Sequence, residues 1–117
     1  MKLIIAGTRK MKVGVSFIRD VLAIHKIDMG SIECILSGKE PTGIDLCGEV
    51  FAKGYGIPID PYPADWRTYG ASAGPIRNSQ MAKVADALLL IWDGKSPGSS
   101  NMKGNMKYKQ VYEVIIK

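Results

Sequence analysis

Short apolar runs alternate along the chain with segments whose apolar residues recur every three or four positions. Runs of four to six apolar residues bounded by turn residues are typical of buried strands, whereas the wider spacing is typical of amphipathic helices. The runs predict strands at residues 3–6, 32–36, 57–60, 87–92 and 111–116. The wider spacing predicts helices at residues 16–26, 43–55, 75–85 and 101–108. For the terminal segment 111–116, a helix is the alternative.

The regular alternation of strand and helix predicts an α/β fold, an open and mostly parallel five-stranded sheet with helices on both faces. Residues 87–92 are apolar throughout, as expected of a central parallel strand. Pro58 places residues 57–60 at an edge of the sheet, and residues 61–74 are expected to form a long connecting loop. The 117 residues contain no linker or repeat, so we predict a single domain, 1–117.

The spacing also predicts which side chains each helix buries. For the first helix these are Phe17, Ile18, Val21, Leu22 and Ile24. For the second they are Ile44, Leu46, Cys47, Val50 and Phe51, and for the third Met81, Val84 and Ala85. Cys34 and Cys47 are interpreted as small core residues rather than as a disulfide or a metal site.

Composition and charge indicate which partners, which cellular location and which cofactors to expect. The net charge of +5 favours an anionic partner, although the basic residues are dispersed and an ordinary solvated surface fits them equally well. No apolar run has the length of a membrane span or of a signal peptide, so we expect a cytoplasmic protein without membrane contact. No set of histidine, cysteine and carboxylate residues has metal-ligand spacing, and we expect neither a metal nor a cofactor.

Four polar loops follow predicted strands, and the carboxyl ends of parallel strands face one crevice where ligands bind. Their glycine, serine and basic residues predict a pocket for a phosphorylated small molecule. The loop residues expected to bind it are Gly7, Thr8, Arg9, Ser37, Gly38, Lys39, Gly43, Asp45, Asp93, Lys95, Ser96, Gly98, Ser99 and Ser100. Further along the chain, Trp66 or Tyr69 would stack on a base, and Arg77 and Asn78 would reach phosphate or ribose.

Segment 96–101 illustrates the expected chemistry. Gly98 lets the backbone approach a ligand, and Ser99, Ser100 or Asn101 would cap a helix whose N-terminal N–H groups face an anion. Each feature also has an ordinary structural interpretation. The segment fits a plain capped turn, Asp45 favours a helix dipole, and a tryptophan often anchors a loop.

The chain also contains a set of short strings in a fixed order. They are GTR at 7–9, SG at 37–38, GID at 43–45, PADW at 63–66, AGPIRN at 73–78 and WDGKSPG at 92–98. Together they resemble the YspA/YpsA-related branch of the SLOG superfamily over essentially the whole chain. The resemblance implies a Rossmann-like fold, a pocket for a nucleotide or nucleotide-derived ligand at the carboxyl edge of the sheet, and a homodimer. For the dimer, an association face of Met102, Met106, Tyr108 and Tyr112 is expected.

Relatives in that superfamily include the lonely-guy phosphoribohydrolases and the DNA-processing protein family. In the phosphoribohydrolases a Gly-Gly-x-Gly-Thr loop binds phosphate, and a Glu and a helical Arg serve catalysis. Segment 96–100 is similar to a reduced form of that loop, and Arg77 matches the arginine. The Glu has no counterpart among residues 101–104, and the expected Gly-Gly-Ala-Arg-Gly-Ala-Asp loop is altered at residues 38–45, where Glu40 offers a carboxylate.

These observations lead to one expected function and two alternatives. We expect binding or sensing of a nucleotide or nucleotide-derived ligand. The first alternative is hydrolysis of the N-glycosidic bond of a nucleoside 5′-monophosphate, with Arg77 and Asp65 as the catalytic candidates. The second is binding of single-stranded nucleic acid, for which the net charge and Trp66 are the motivation. The identity of the ligand, and whether it is turned over, stay open at this point.

Overall fold

Five parallel strands form one open sheet in the computed structural model, which describes all 117 residues. The strands are β1 (Lys2–Gly7), β2 (Cys34–Ser37), β3 (Ile59–Pro61), β4 (Ala87–Trp92) and β5 (Gln110–Ile115). Their order across the sheet is β3-β2-β1-β4-β5, and every neighbouring pair is parallel. The predicted α/β class and five-stranded sheet are therefore confirmed. The terminal segment is a strand, and β3 lies at an edge.

Five α-helices and two single 3₁₀ turns connect the strands. The helices are α1 (Val15–Ile24), α2 (Gly43–Gly54), α3 (Trp66–Tyr69), α4 (Ala73–Val84) and α5 (Pro97–Asn105), and the 3₁₀ turns are Met29–Ser31 and Gly70–Ser72. The longest helices have 12 residues, and no helix combines the length and apolar character needed to cross a bilayer.

The apolar core has two parts, one on each face of the sheet. Successive strand residues point to opposite faces, so Leu3 and Ile5 of β1 pack against α1 and α2, whereas Ile4 packs against α4 and α5. Every residue of β4 is buried, and β4 has a neighbour on each side, which confirms the prediction of an interior strand that is apolar on both faces. The helices thus cover both faces of the sheet, as expected.

Several predicted buried positions are wrong. Ile24 is 75% exposed because it lies at the last turn of α1, and Val84 is exposed at the end of α4. Leu46 and Val50 are exposed because α2 meets the sheet along another stripe, which comprises Ile44, Cys47, Gly48, Phe51 and Ala52. In β2, Cys34 is only half-buried.

Two further expectations are corrected around the third and fifth helices. Residues 61–74 are not an unbroken loop, since they contain α3, a 3₁₀ turn and the start of α4. The fifth helix begins at Pro97 rather than at residue 101, because proline suits the first helical turn. Met102 and Met106 lie in the core under the sheet, so they cannot belong to the predicted association face.

The strand order places a topological switch point between β1 and β4. From β1 the chain proceeds to β2 and β3 on one side, and β4 and β5 then build the other side. At such a point the loops that leave the two adjacent strands separate, and a crevice opens beyond their carboxyl ends. The loops after β1 and β4 are those that carry the GTR and WDGKSPG strings.

Candidate functional site

A cavity of about 570 Å³ opens at the switch point. This volume lies within the range of about 300–1,000 Å³ that is usual for small-molecule pockets. The loops after β1, β2 and β4 line it together with the first turn of α2 and with α3, α4 and α5. The predicted ligand residues in its lining are Gly7, Thr8, Arg9, Gly38, Asp45, Trp66, Arg77, Asn78, Asp93, Ser96, Gly98 and Ser99.

The N-terminus of α5 opens into this cavity without a side-chain cap. Ser96 stands at the N-cap, but its hydroxyl donates to Asp93 at 2.9 Å instead of serving the helix. The N–H groups of Gly98 and Ser99 have no acceptor within the chain. The Ser99 hydroxyl also has no partner, although Ser99 is only 5% exposed. Since every fully enclosed side-chain polar atom has a partner, this hydroxyl is accessible at the surface, and Ser99 lines the cavity.

Asp93 holds the β4–α5 loop in this conformation. Its Oδ1 accepts hydrogen bonds from the Lys95 N–H at 2.8 Å and from the N–H and hydroxyl of Ser96, both at 2.9 Å. These donors lower the pKa of Asp93 to about 2. Thr8 joins the loop to the end of β1, because its hydroxyl accepts from the Asp93 N–H at 3.1 Å and contacts the Ser96 hydroxyl at 3.2 Å.

Arg77 and Asn78 project from α4 between the loops. The Arg77 guanidinium is buried, donating to the Gly38 carbonyl through Nη1 and to the Asn78 side-chain oxygen through Nε at 2.9 Å. Asn78 in turn donates to the Gly98 carbonyl at 3.3 Å and to Asn101 at 3.0 Å. The arginine is therefore fixed in place, and its support reaches the N-terminus of α5.

Asp45 lies in the first turn of α2 and faces the Arg77 guanidinium without touching it. Its Oδ2 accepts one long hydrogen bond, from the Glu40 N–H at 3.4 Å. Burial raises the pKa of Asp45 to about 6, although Arg77 opposes that rise. A Cβ added at Gly38 would lie 2.6 Å from Arg77 Nη1 and 2.7 Å from Asp45 Oδ2, so a larger residue would displace these side chains.

Glu40 connects the two arginines of the cavity. Its Oε1 lies 3.0 Å from Arg9 Nη2 and 3.5 Å from Arg77 Nη2. The Arg9 guanidinium also lies over the Trp66 ring, 5.7 Å from its centroid. A Cβ added at Gly74 would lie 3.4 Å from the Trp66 ring, so this indole edge packs against the start of α4. An aromatic surface and a cation thus meet at the mouth of the cavity.

The remaining predicted residues lie outside the cavity lining. Ser37 and Lys39 bind Glu49, at 2.6 and 2.9 Å, and although burial opposes the effect these hydrogen bonds lower the pKa of Glu49. Lys95 and Ser100 are exposed. Asp65 is also exposed and caps α3 by accepting from the Thr68 N–H at 3.1 Å.

Gly43 has a packing role beside the lining. It begins α2 with a φ of +77°, and an added Cβ would lie 2.5 Å from Arg9 backbone atoms. Both the conformation and the space require glycine there. It lets the start of α2 lie against the loop that follows β1.

Sequence reasoning missed part of the lining. Lys10, Gly74 and Met81 line the cavity and were not expected to, and Glu40 was noted only as a spare carboxylate. Gly74 lies in the AGPIRN string, where a glycine at the start of a helix was the available signal. No pattern of spacing identifies Lys10 or Met81, because their position depends on how the loops fold back over the sheet.

The cavity combines opposite charges with free donors. Its basic side chains are Arg9, Lys10 and Arg77, and its carboxylates are Glu40, Asp45 and Asp93. Within the chain, Glu40 is paired with two arginines and Asp93 is hydrogen-bonded by its own loop. The free donors at the start of α5 suit an anion, and the exposed face of Trp66 suits a planar ring.

No protein-family model matches this chain, and neither the curated proteins nor the solved structures contain a match.

Proposed function

We propose that this protein binds a nucleotide or nucleotide-derived ligand at the carboxyl edge of its sheet. The observation that carries the proposal is the uncapped start of α5, where the Gly98 and Ser99 N–H groups and the Ser99 hydroxyl open to the cavity without partners. A phosphate group supplies the acceptors and the negative charge that these donors and the helix dipole favour. Arg77 adds a fixed positive charge to the same cavity.

The opposite end of the cavity suits the base of such a ligand. Trp66 is 46% exposed and presents its ring beside the Arg9 guanidinium. Stacking of a base on an aromatic side chain is worth about 1–3 kcal/mol. A cavity of about 570 Å³ is large enough to hold a phosphate, a sugar and a base at once.

Three further properties belong to this proposal and rest on the sequence. They are membership of the SLOG superfamily, a homodimer and a cytoplasmic location. The dimer would use a surface other than Met102 and Met106, which are buried in the core. Light scattering coupled to size-exclusion chromatography tests the dimer, and a monomer at all concentrations would contradict it.

Calorimetric titration tests the binding proposal. The panel comprises nucleoside 5′-monophosphates, ADP-ribose and cyclic nucleotides, with inorganic phosphate as the minimal anion. We expect saturable binding of at least one nucleotide, competed by phosphate at higher concentration. Silence across the whole panel would contradict the proposal.

The same samples address the two alternatives. Chromatography after incubation with a nucleoside monophosphate detects release of free base, which would make the protein a phosphoribohydrolase. Electrophoretic mobility shifts at two salt concentrations detect binding of single-stranded nucleic acid, which should weaken steeply as salt rises. Both alternatives stay predictions from the sequence.

A further inference from the structure

One buried carboxylate at the cavity has no ion-pair partner. Asp45 is only 7% exposed, and it takes part in none of the ion pairs of the structure. Its Oδ2 accepts the single long bond from Glu40, and its Oδ1 accepts none from the chain. Because no fully enclosed side-chain oxygen lacks a partner, Oδ1 must open to the cavity that Asp45 lines.

Such an arrangement is unfavourable for the protein alone. An ionised carboxylate loses its hydration on burial, and the loss is normally offset by a paired cation or by several hydrogen bonds. The other buried carboxylate of α2, Glu49, has both forms of compensation, from Ser37 and Lys39. Asp45 lacks them, so the donors that satisfy its free oxygen must come from whatever occupies the cavity.

The neighbours of Asp45 restrict the kind of donor. The Arg77 guanidinium lies close enough to lower the pKa of Asp45, and it would repel a cationic group placed at the same oxygen. A neutral donor, such as a hydroxyl group, meets no such repulsion. Vicinal hydroxyl groups can supply two hydrogen bonds to one carboxylate.

The position of Arg77 also separates Asp45 from the surface that suits a base. Arg77 Nη2 faces Gly74, beside the Trp66 ring, whereas Nη1 faces Gly38, beside Asp45. A base on Trp66 would therefore be separated from Asp45 by the guanidinium. The group that reaches Asp45 is then the sugar, which joins base and phosphate.

We propose that Asp45 selects a ribosyl ligand by accepting hydrogen bonds from its vicinal 2′- and 3′-hydroxyl groups. This inference rests on the proposed function and narrows it, since it excludes ligands whose sugar lacks both hydroxyls. Asp45 is then a specificity-determining residue, and the phosphate contacts at α5 do not depend on it.

Titration calorimetry at pH 7.5 compares adenosine 5′-monophosphate with its 2′,3′-dideoxy analogue. The wild-type protein should prefer the ribonucleotide by about tenfold or more, as expected for charge-assisted hydrogen bonds. Asp45→Ala should bind both nucleotides equally, with the affinity of the wild type for the dideoxy analogue. Glu49→Gln is the matched control, because it alters a buried carboxylate of the same helix outside the cavity and should keep the preference.

The ratio of the two affinities is also measured as a function of pH, because a purely structural role of Asp45 would not make this ratio depend on pH. The charged groups that face Asp45 are Arg77 from α4, Glu40 from the loop before α2, and Glu49 of α2 itself. Protonation of Asp45 removes its charge and an acceptor site, so the preference for the ribonucleotide should shrink below about pH 6 in the wild type. In Asp45→Ala the ratio should not change with pH.

The outcomes separate this inference from the proposed function. If the wild type binds both nucleotides equally, or if Asp45→Ala keeps the preference, the role of Asp45 is overturned while nucleotide binding stands. Purine riboside 5′-monophosphate lacks the amino group of the base. If the wild type binds it no more tightly than Asp45→Ala does, Asp45 contacts the base and not the ribose, and its proposed role is likewise overturned. If neither nucleotide binds to the folded wild-type protein, the proposed function and this inference both fail.

Discussion

Two aspartates occupy comparable places at the cavity, but they differ in their hydrogen bonds and their pKa values shift in opposite directions. Asp93 follows β4 and receives three donors from its own loop, which lower its pKa to about 2. Asp45 follows β2, is buried with one long hydrogen bond, and has its pKa raised to about 6. One carboxylate is satisfied by the chain, whereas the other has an oxygen that the chain leaves free.

The difference shows which part of each loop is available for a ligand. In the β4–α5 loop, Asp93 binds the hydroxyl of the cap residue Ser96, and the first N–H groups of the helix have no side-chain cap. In the β2–α2 loop, the carboxylate itself is left free. The first loop is thus suited to an acceptor such as phosphate, and the second to a donor such as hydroxyl.

The largest expected effect comes from Arg77→Ala. This change removes the buried cation that pairs with Glu40 and that lowers the pKa of Asp45 from nearby, and removal of one partner from a buried ion pair costs about 3–5 kcal/mol. Urea denaturation measures the free energy of unfolding. Arg67→Ala is the control, because Arg67 is exposed and its loss should change stability by less than about 0.5 kcal/mol. Equal effects of the two changes would contradict the assigned role of Arg77.

The second largest effect is a gain in folding stability rather than a loss. Asp45→Asn should stabilise the protein at pH 7.5 by up to about 3 kcal/mol, since the raised pKa means that ionisation of Asp45 opposes folding. The folded protein binds the proton more tightly than the unfolded chain. Wild-type stability should therefore fall as the pH rises from about 4 to about 6, and the gain from asparagine should vanish near pH 4. A variant that is less stable at neutral pH would show that Asp45 is compensated after all.

A smaller effect tests the phosphate end of the cavity. Ser99→Ala removes one donor to the ligand and should weaken nucleotide binding about tenfold, with little change in folding stability. Ser100→Ala is the matched control, since Ser100 is the next residue of α5 but is exposed and outside the lining. Calorimetry on both variants makes the comparison. Equal loss in the two variants would contradict the assigned donor.

The smallest effect is expected for Asp93→Asn. The amide oxygen can still accept from the N–H groups of Lys95 and Ser96, so only the charge is lost. Because the pKa of Asp93 is lowered in the folded state, its charge favours folding above about pH 4, and this advantage is lost as the pH falls towards 2. Thermal unfolding across that range should show the two proteins converging. A difference that grows at low pH would contradict this account.

The sequence was sufficient to predict the fold for identifiable reasons. The run 87–92 has no polar residue, and the alternation of runs and periodic segments leaves few other topologies. Predictions failed where burial depends on the angle at which a helix lies on the sheet. Leu46 and Val50 have helical spacing but lie on the outer side of α2, while the polar Asp45 and Glu49 are buried.

The loops that line the site could be predicted from the sequence, but the hydrogen bonds within them could not. Parallel topology brings the strand ends to one edge, which is why residues from several loops line one cavity. The identity of the α5 cap was not predictable, because Ser96, Ser99 and Ser100 are all suitable cap residues. The Ser96 hydroxyl contacts Asp93 and Thr8 instead of capping the helix, and these contacts depend on how the loops fold together.

Amide chemical shifts during titration with adenosine 5′-monophosphate test the central claim most directly. The account predicts that the backbone amides of Gly98 and Ser99 shift strongly and saturate together, along with the indole N–H of Trp66. If these resonances stay fixed while the nucleotide binds elsewhere, or if no resonance responds, the start of α5 is not the phosphate site.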